Sequence, residues 1–280
     1  MKRKIFNLKI ILSALVIFSL GTGLYFNRVK IKEIIFDWSK KELPAPVNYS
    51  QTKKLSFVNG SIETIDIIPI NADLKMPDKG GAAATSDKAN AIPDQYNLNI
   101  PFTSQAPYKI WDDAHKEACE ETSALMAAYF IKGKTIANAA AADKEILALI
   151  EWEKKNFGFW KDTDAAKTAE ILKKYYGFKN ISVKYDIKLD DIKKEIAAGH
   201  PVIVPAAGRL LGNPFYTPPG PFYHMLVIRG YTKNKIITND PGTKNGENYV
   251  YDSNIFYNAI HDWNGGDVMR GKKVMIIVQE

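Results

Sequence analysis

An α+β domain, with a helical half followed by a strand-rich half, is the fold class this 280-residue chain predicts. Two observations carry that expectation. Apolar residues at helical spacing, punctuated by glycine stops, fill the stretch from Ala118 to Ala198, while short β-branched runs bounded by turn residues dominate from Val202 to Val278. A hydrophobic content of 46% and a charged content of 25% are ordinary globular values, which exclude wholesale disorder.

The formal charge of +7 is confined to the N-terminus. Residues 1–41 hold nine of the 38 Lys/Arg and two of the 31 Asp/Glu, leaving 29 of each sign in the remaining 239 residues. The basicity therefore points to a membrane surface and gives no footprint for DNA or RNA. Met1-Lys2-Arg3-Lys4 opens the chain, and an uncharged run extends from Ile10 to Phe26. At helical rise that run spans ~26 Å, and Ile5, Phe6 and Leu8 extend it if Lys9 snorkels toward the headgroups. Residues 1–35 are thus read as a transmembrane anchor or a signal segment. A cleaved signal would be cut near Gly21-Thr22-Gly23, a weak small-x-small site, whereas an anchor would keep the run and place Arg28, Lys30 and Lys32 beyond it. Both readings hold the short basic flank inside and send the rest of the chain out of the cytoplasm, either single-pass at the cell membrane or secreted.

Residues 36–93 read as an extracytoplasmic linker. Pro44 and Pro46 break any helix leaving the membrane, Ile62–Ile70 suits a short strand, and Asp78–Asn90 is small and polar. The folded domain is expected at 94–280. Its helices are predicted over Ala118–Ile131 with Gly133 as a stop and Ala139–Lys154. A third runs from a Thr163 cap through Tyr176 to Gly177, and a fourth over Leu189–Ala198 before Gly199. Strands are predicted at Val202–Val204, His224–Tyr231, Lys235–Thr238 and Val274–Val278.

One cysteine excludes an intramolecular disulfide framework and a Cys-rich zinc site. Cys119 falls where a helix should begin, where unpaired amides and the positive end of the macrodipole favour a thiolate. His224 opens a strand behind the rigid run Thr217-Pro218-Pro219-Gly220-Pro221, at the rim of a sheet. Asp240 ends the next strand in an Asp-Pro-Gly turn, and pairing of the two strands would bring it to His224 as an orienting carboxylate. Gln105, in a loop before the cysteine, offers a side-chain N–H that would help the Cys119 amide bind an oxyanion. Trp111, Phe215, Tyr216 and Tyr223 supply aromatic surface suited to an extended peptide. His115, four residues before Cys119, is a weaker rival base, and His200 and His261 read as turn and structural residues. No H-x-x-x-H or H-E-x-x-H spacing is present, so neither a metal nor another cofactor is expected.

Three stretches, IPFTSQAPYKIWDDAHKEACEETSALMAAYF, GHPVIVPAAGRLLGNPFYTPPGPFYHMLVIRGY and IITNDPGT, resemble the C-39-like family of papain-fold cysteine peptidases. These are relatives of the domains that trim double-glycine leaders from bacteriocins. The resemblance covers about 95–280, with Gln, Cys, His and Asp in the family's order. It implies a papain-like fold in which a helical half carrying Cys119 packs on an antiparallel β half. By that match Cys119 is nucleophile, His224 general base, Asp240 orienter and Gln105 an oxyanion-hole donor, acting on a peptide or protein substrate. One departure is visible: many members have Gly-Pro after the cysteine, whereas Glu120-Glu121 follow here and would tend to raise the thiol pKa. The chain has no G-x-x-x-x-G-K-[ST] motif, so the leader-exporting transporter role does not carry over. Two other functions use the same constellation: a cell-wall peptide amidase or transpeptidase, and a non-catalytic peptide-binding module.

Overall fold

Short apolar runs, most of them toward the C-terminus, pair as one antiparallel sheet, and helices pack against it. The computed structural model describes residues 30–34, 36–38, 40, 42–52, 57–58, 61–62 and 92–280. The chain divides into two compact units, Met1–Leu43 and Pro44–Glu280. In the first, residues 30–34, 36–38 and 40 are helical. The apolar run Ile10–Phe26 and the Gly21-Thr22-Gly23 site lie outside the described residues, as does the polar stretch Asp78–Asn90. Among the described residues no helix is long and apolar enough to cross a membrane, so the membrane segment expected at residues 1–35 gains no support from them.

The second unit opens with α1 (Tyr49–Thr52), followed by the short strands β1 (Phe57–Val58) and β2 (Ser61–Ile62), which pair with each other. Of the strand expected at Ile62–Ile70, only Ile62 is described. Next come β3 (Tyr96–Asn97), α2 (Cys119–Ile131), α3 (Ala139–Phe157), α4 (Ala165–Lys174), β4 (Ile181–Tyr185) and α5 (Leu189–Ala197). The chain finishes with β5 (Val202–Ala206), β6 (His224–Tyr231), β7 (Lys235–Asn239), β8 (Tyr249–Asp252), α6 (Ser253–Ala259) and β9 (Val274–Val278).

Helix α2 is buried at every position except Tyr129, including the polar first turn of Glu120, Glu121, Thr122 and Ser123. It packs on β5, β6 and β9 and against α3 and α4, with Cys119 buried at its first position. Helix α3 starts where Asn138 accepts a bond from the Ala141 N–H and stops at Gly158 in the left-handed conformation. Helix α4 is capped by Asp164, which accepts from the Lys167 N–H, and not by Thr163 as the sequence suggested. The Thr163 hydroxyl is instead 3.0 Å from that of Thr168. The helix also ends at Lys174, short of the expected Tyr176.

The main sheet runs β4-β9-β5-β6-β7-β8 with β3 added to β6, and every pairing is antiparallel. All eight residues of β6 are buried: the apolar run Met225–Ile228 and the central place in the order account for most, and Arg229 is met by Asn97, Asn239 and the Ile100 carbonyl. The β6–β7 register shifts between Ile228 and Gly230, and on the opposite edge β3 lies so close that a Cβ on Gly230 would sit 2.5 Å from the Tyr96 carbonyl oxygen. Strands β4 and β8 and helix α6 were not expected from the sequence. The first two are short outer strands of mixed polarity, Ile-Ser-Val-Lys-Tyr and Tyr-Val-Tyr-Asp, whose pattern is carried by few residues.

The expected linker at 36–93 is partly built into this unit. Val47 bridges to Leu98, the Val47 N–H donates to the Asn97 carbonyl at 2.8 Å, and the Tyr49 ring meets Phe130 edge-on. Thr52 occupies the space beside Gly199, where a Cβ would lie 2.5 Å from its own Cβ. The packed structure therefore reaches back to Pro44, because a strand-like partner and two side chains fill gaps that the domain at 94–280 would otherwise leave open.

Candidate active site

Pairing of β6 with β7 carries Asp240, the residue after β7, to the start of β6. The His224 Nε2 and Asp240 Oδ1 atoms are 2.8 Å apart, with the histidine 1% and the aspartate 0% exposed. Asp240 is unusually well supplied with donors. Its Oδ1 also accepts from the Gly242 N–H at 2.9 Å. Its Oδ2 accepts from the Tyr216 hydroxyl at 2.6 Å, the Tyr251 hydroxyl at 2.5 Å and Asn213 Nδ2 at 3.1 Å. Burial alone would push this carboxyl up, but the His224 charge and hydrogen bond, with the two tyrosine hydroxyls, outweigh it and hold Asp240 below the ordinary carboxylate range.

Cys119 is the first residue of α2, so its N–H has no partner within the helix. The side chain is only 6% exposed, and its thiol donates to Glu120 Oε2 at 2.9 Å. Burial first, then the neighbouring Glu120 and Glu121 carboxyls, push the thiol well above its usual range. Ser123, one turn on from Cys119, donates to the Met225 carbonyl at 3.1 Å and holds this end of α2 against the start of β6. The helix N-terminus alone would lower the thiol pKa, so the expectation of a readily formed thiolate is reversed by burial and by the carboxyl that follows in sequence. Among the described residues, no hydrogen bond joins the Cys119 sulfur to the His224 ring; the thiol proton is directed at Glu120.

Behind the cysteine lies a set of buried carboxyls. Glu120 Oε1 has no hydrogen-bond partner, and burial followed by the Glu121 charge raises its pKa strongly. Glu121 on α2 and Glu153 on α3 face each other with no donor besides a proton they can share; burial raises both, Glu153 to about 8.

Gln105 is buried in the loop ahead of α2. Its Nε2 donates to the carbonyls of His115 at 2.9 Å and Lys116 at 3.1 Å, and its Oε1 is unpartnered. The amide thus ties down the segment that leads into Cys119. His115 is held between Asp112 and Asp143, at 2.8 and 2.9 Å, which spends both ring nitrogens away from the sulfur. His200 meets Glu195, and His261 meets the Gly271 carbonyl.

Of the four aromatic residues expected to face a peptide, Trp111 is 40% exposed. Phe215 is half-buried, edge-on to Tyr249 at 6.2 Å between ring centres. The other two face inward: the Tyr216 hydroxyl is spent on Asp240, and buried Tyr223 donates to the Thr163 carbonyl at 3.0 Å. Their placement in a Pro-rich loop suggested surface, but both hydroxyls satisfy buried acceptors. Sequence reasoning passed over Asn213, Tyr251 and Gly242. Tyr251 was hidden because β8 was not recognised, and Gly242 looked like ordinary turn chemistry. A Cβ on Gly242 would lie 3.0 Å from His224 Cε1 and 3.2 Å from Asp240 Oδ1, so this glycine is a steric condition of the pair. Among the described residues, no group of three or more His, Cys, Asp or Glu could hold a metal ion.

A buried helix with a cysteine at its first position, laid on an antiparallel sheet that carries a His–Asp pair, is an arrangement found in cysteine peptidases. The chain matches the model of the Peptidase_C39 like family over residues 97–265 and belongs to that family. It is accordingly a cysteine peptidase, whose substrate is a peptide or protein. Among solved structures, it is similar to a protein described as a C39-like peptidase from Bacillus anthracis, with 17% identity, a TM-score of 0.46, and 67% of this chain and 99% of that one covered. It is also similar to xylellain, a cysteine protease from Xylella fastidiosa, with 12% identity, a TM-score of 0.36 and coverage of 73% and 95%. A fragment of prointerpain A from Prevotella intermedia shows 16% identity and a TM-score of 0.35, covering 52% of this chain and 44% of that one. Among curated proteins none matches the chain.

Proposed function

We propose that the chain hydrolyses peptide bonds through Cys119, His224 and Asp240, with a thioester acyl-enzyme. The observation that carries this reading is the buried His224–Asp240 pair at 2.8 Å, at the start of the strand to which Ser123, one turn beyond Cys119, is hydrogen-bonded. Asp240 occupies Nε2, which leaves Nδ1 of the same ring to take the thiol proton. For that to happen the sulfur must leave Glu120 Oε2 and turn toward the imidazole. The thiolate then attacks the peptide carbonyl carbon, and the oxyanion is received by the Cys119 N–H. Gln105 joins as a second donor by releasing either the His115 or the Lys116 carbonyl. Collapse of the tetrahedral intermediate breaks the C–N bond, and the imidazolium gives its proton to the departing amine. Water, deprotonated by the same ring, hydrolyses the thioester.

The N-terminal run Ile10–Phe26, with its basic flank, supports a tether or signal that delivers this domain outside the cytoplasm. Carbonate extraction and protease protection of the full chain in membranes test that placement.

A second reading, a peptide-binding module without turnover, draws on the Cys119–Glu120 contact, which keeps the sulfur a thiol. Incubating the full chain with casein, and separately with muropeptides, distinguishes the readings by mass spectrometry of the products. New peptide termini from casein that disappear in Cys119→Ala support the peptidase. Products from muropeptides alone favour the cell-wall amidase, and absence of both with slow iodoacetamide labelling favours the binding module.

A further inference from the structure

We propose that Tyr216 and Tyr251 are positioning residues that act through Asp240: their hydroxyls fix the carboxylate that orients His224. The inference rests on the proposed catalytic role of that pair. Five donors meet this one carboxylate. Two come from the loop between β5 and β6 (Asn213 Nδ2 and the Tyr216 hydroxyl), one from β8 (the Tyr251 hydroxyl), one from β6 (His224 Nε2) and one from the turn after β7 (the Gly242 N–H). The division between the oxygens is sharp. Oδ1 takes His224 and Gly242, while Oδ2 takes Tyr216, Tyr251 and Asn213, so the tyrosines fix the rotation of the carboxylate about its Cβ–Cγ bond. Asn213 also donates to the Tyr251 hydroxyl at 2.9 Å, which leaves that hydroxyl's own proton for Asp240.

Tyr216 does a second thing. Its ring stands edge-on to the imidazole of His224, with centres 5.6 Å apart at 77°. A Cβ on Gly242 would touch the Tyr216 ring at 3.0 Å, the same distance as the His224 ring, so tyrosine, histidine and turn are in mutual contact. The loop that bears Asn213 and Tyr216 must be seated for the acid to be aligned, which makes this loop part of the machinery and not merely its border. The ionisable groups facing Asp240 are His224 from β6, Tyr249 and Tyr251 from β8 and Tyr216 from the loop; no lysine or arginine joins them among its hydrogen-bond partners.

The test is a double-mutant cycle in the full chain: Tyr216→Phe and Tyr251→Phe, each in the native and the Asp240→Asn backgrounds. Phenylalanine keeps the ring and deletes only the hydroxyl. The His224 imidazole signal, assigned by its loss in His224→Gln, is followed by NMR against pH, alongside kcat and KM on casein-derived peptides and the melting temperature. A carboxylate that shares less of its charge with phenols binds the imidazolium more strongly. Each Phe variant should therefore move the His224 midpoint up by about half a unit and lower kcat roughly tenfold with KM nearly unchanged. In the Asp240→Asn background neither effect should remain. Equal shifts in both backgrounds, or no shift in either Phe variant while its melting temperature stays within a few degrees of native, would overturn the assignment. Tyr251→Phe supplies the answer if Tyr216→Phe does not fold. A chain that turns over no peptide defeats the peptidase mechanism, yet the His224 titration still decides whether Tyr216 and Tyr251 act through Asp240.

Discussion

Glu120 is the residue on which the chemistry of Cys119 turns. Its carboxyl is both the acceptor of the thiol proton and, after burial, the largest charge that keeps the sulfur protonated. Below the raised thiol pKa, each unit by which that pKa falls gives a tenfold gain in thiolate. Glu120→Gln removes the ionisable carboxyl while keeping the shape, so iodoacetamide labelling of Cys119 should speed up about tenfold in alkaline solution, where the raised Glu120 carboxyl would itself ionise. An unchanged rate would mean that burial alone sets the thiol. Gly242→Ala tests the packing of the pair from the opposite side. The added methyl lies 3.0 Å from the His224 ring and 3.0 Å from the Tyr216 ring, so one of the two must move. Peptide turnover should fall at least tenfold with only a small loss of melting temperature, since the strands themselves are untouched.

At the scale of elements, β6 is the spine of the site. It starts with His224, pairs with β5, β7 and β3 and lies under α2. Gly230 makes the β3 contact possible, because a side chain there would strike the Tyr96 carbonyl at 2.5 Å and the Asn97 Cα at 2.9 Å. Gly230→Ala is expected to cost roughly 1–3 kcal/mol, as overpacking in a close-packed interior does, read as a lower urea midpoint. The α2 and β6 boundaries were visible in sequence, for they follow from a glycine stop and from a long apolar run. Strand β8 was not, since four residues carry too little pattern, and with it went Tyr251. The cap of α4 fell to Asp164 instead of Thr163 because two adjacent candidates differ only in which one the backbone turns toward the helix.

Across the whole molecule, the buried carboxyls set how stability varies with pH. Glu121 and Glu153 are both raised, Glu153 to about 8, so folding favours their protonated forms. A group raised in the folded state contributes stability that is complete below its unfolded value near 4.5 and is lost as pH climbs through the folded value. Asp262, raised by burial to about 6, adds to the same trend. Asp240 works in the opposite sense, for its lowered pKa gives stability above the ordinary carboxylate range that is lost in acid. The melting temperature should therefore fall as pH rises from 5 to 9, and Glu153→Gln should flatten that decline; a native slope that persists in Glu153→Gln would count against the shared proton. The sequence by itself determined the helix and strand starts that bear Cys119 and His224, because local periodicity and turn chemistry are written in neighbouring residues. Which carboxyl the thiol meets, which tyrosines hold Asp240, and how far the fold reaches back to Pro44 were decided only in three dimensions. Those contacts join residues far apart in the chain, and they are settled by what remains to be filled or hydrogen-bonded once the sheet and the central helix have closed.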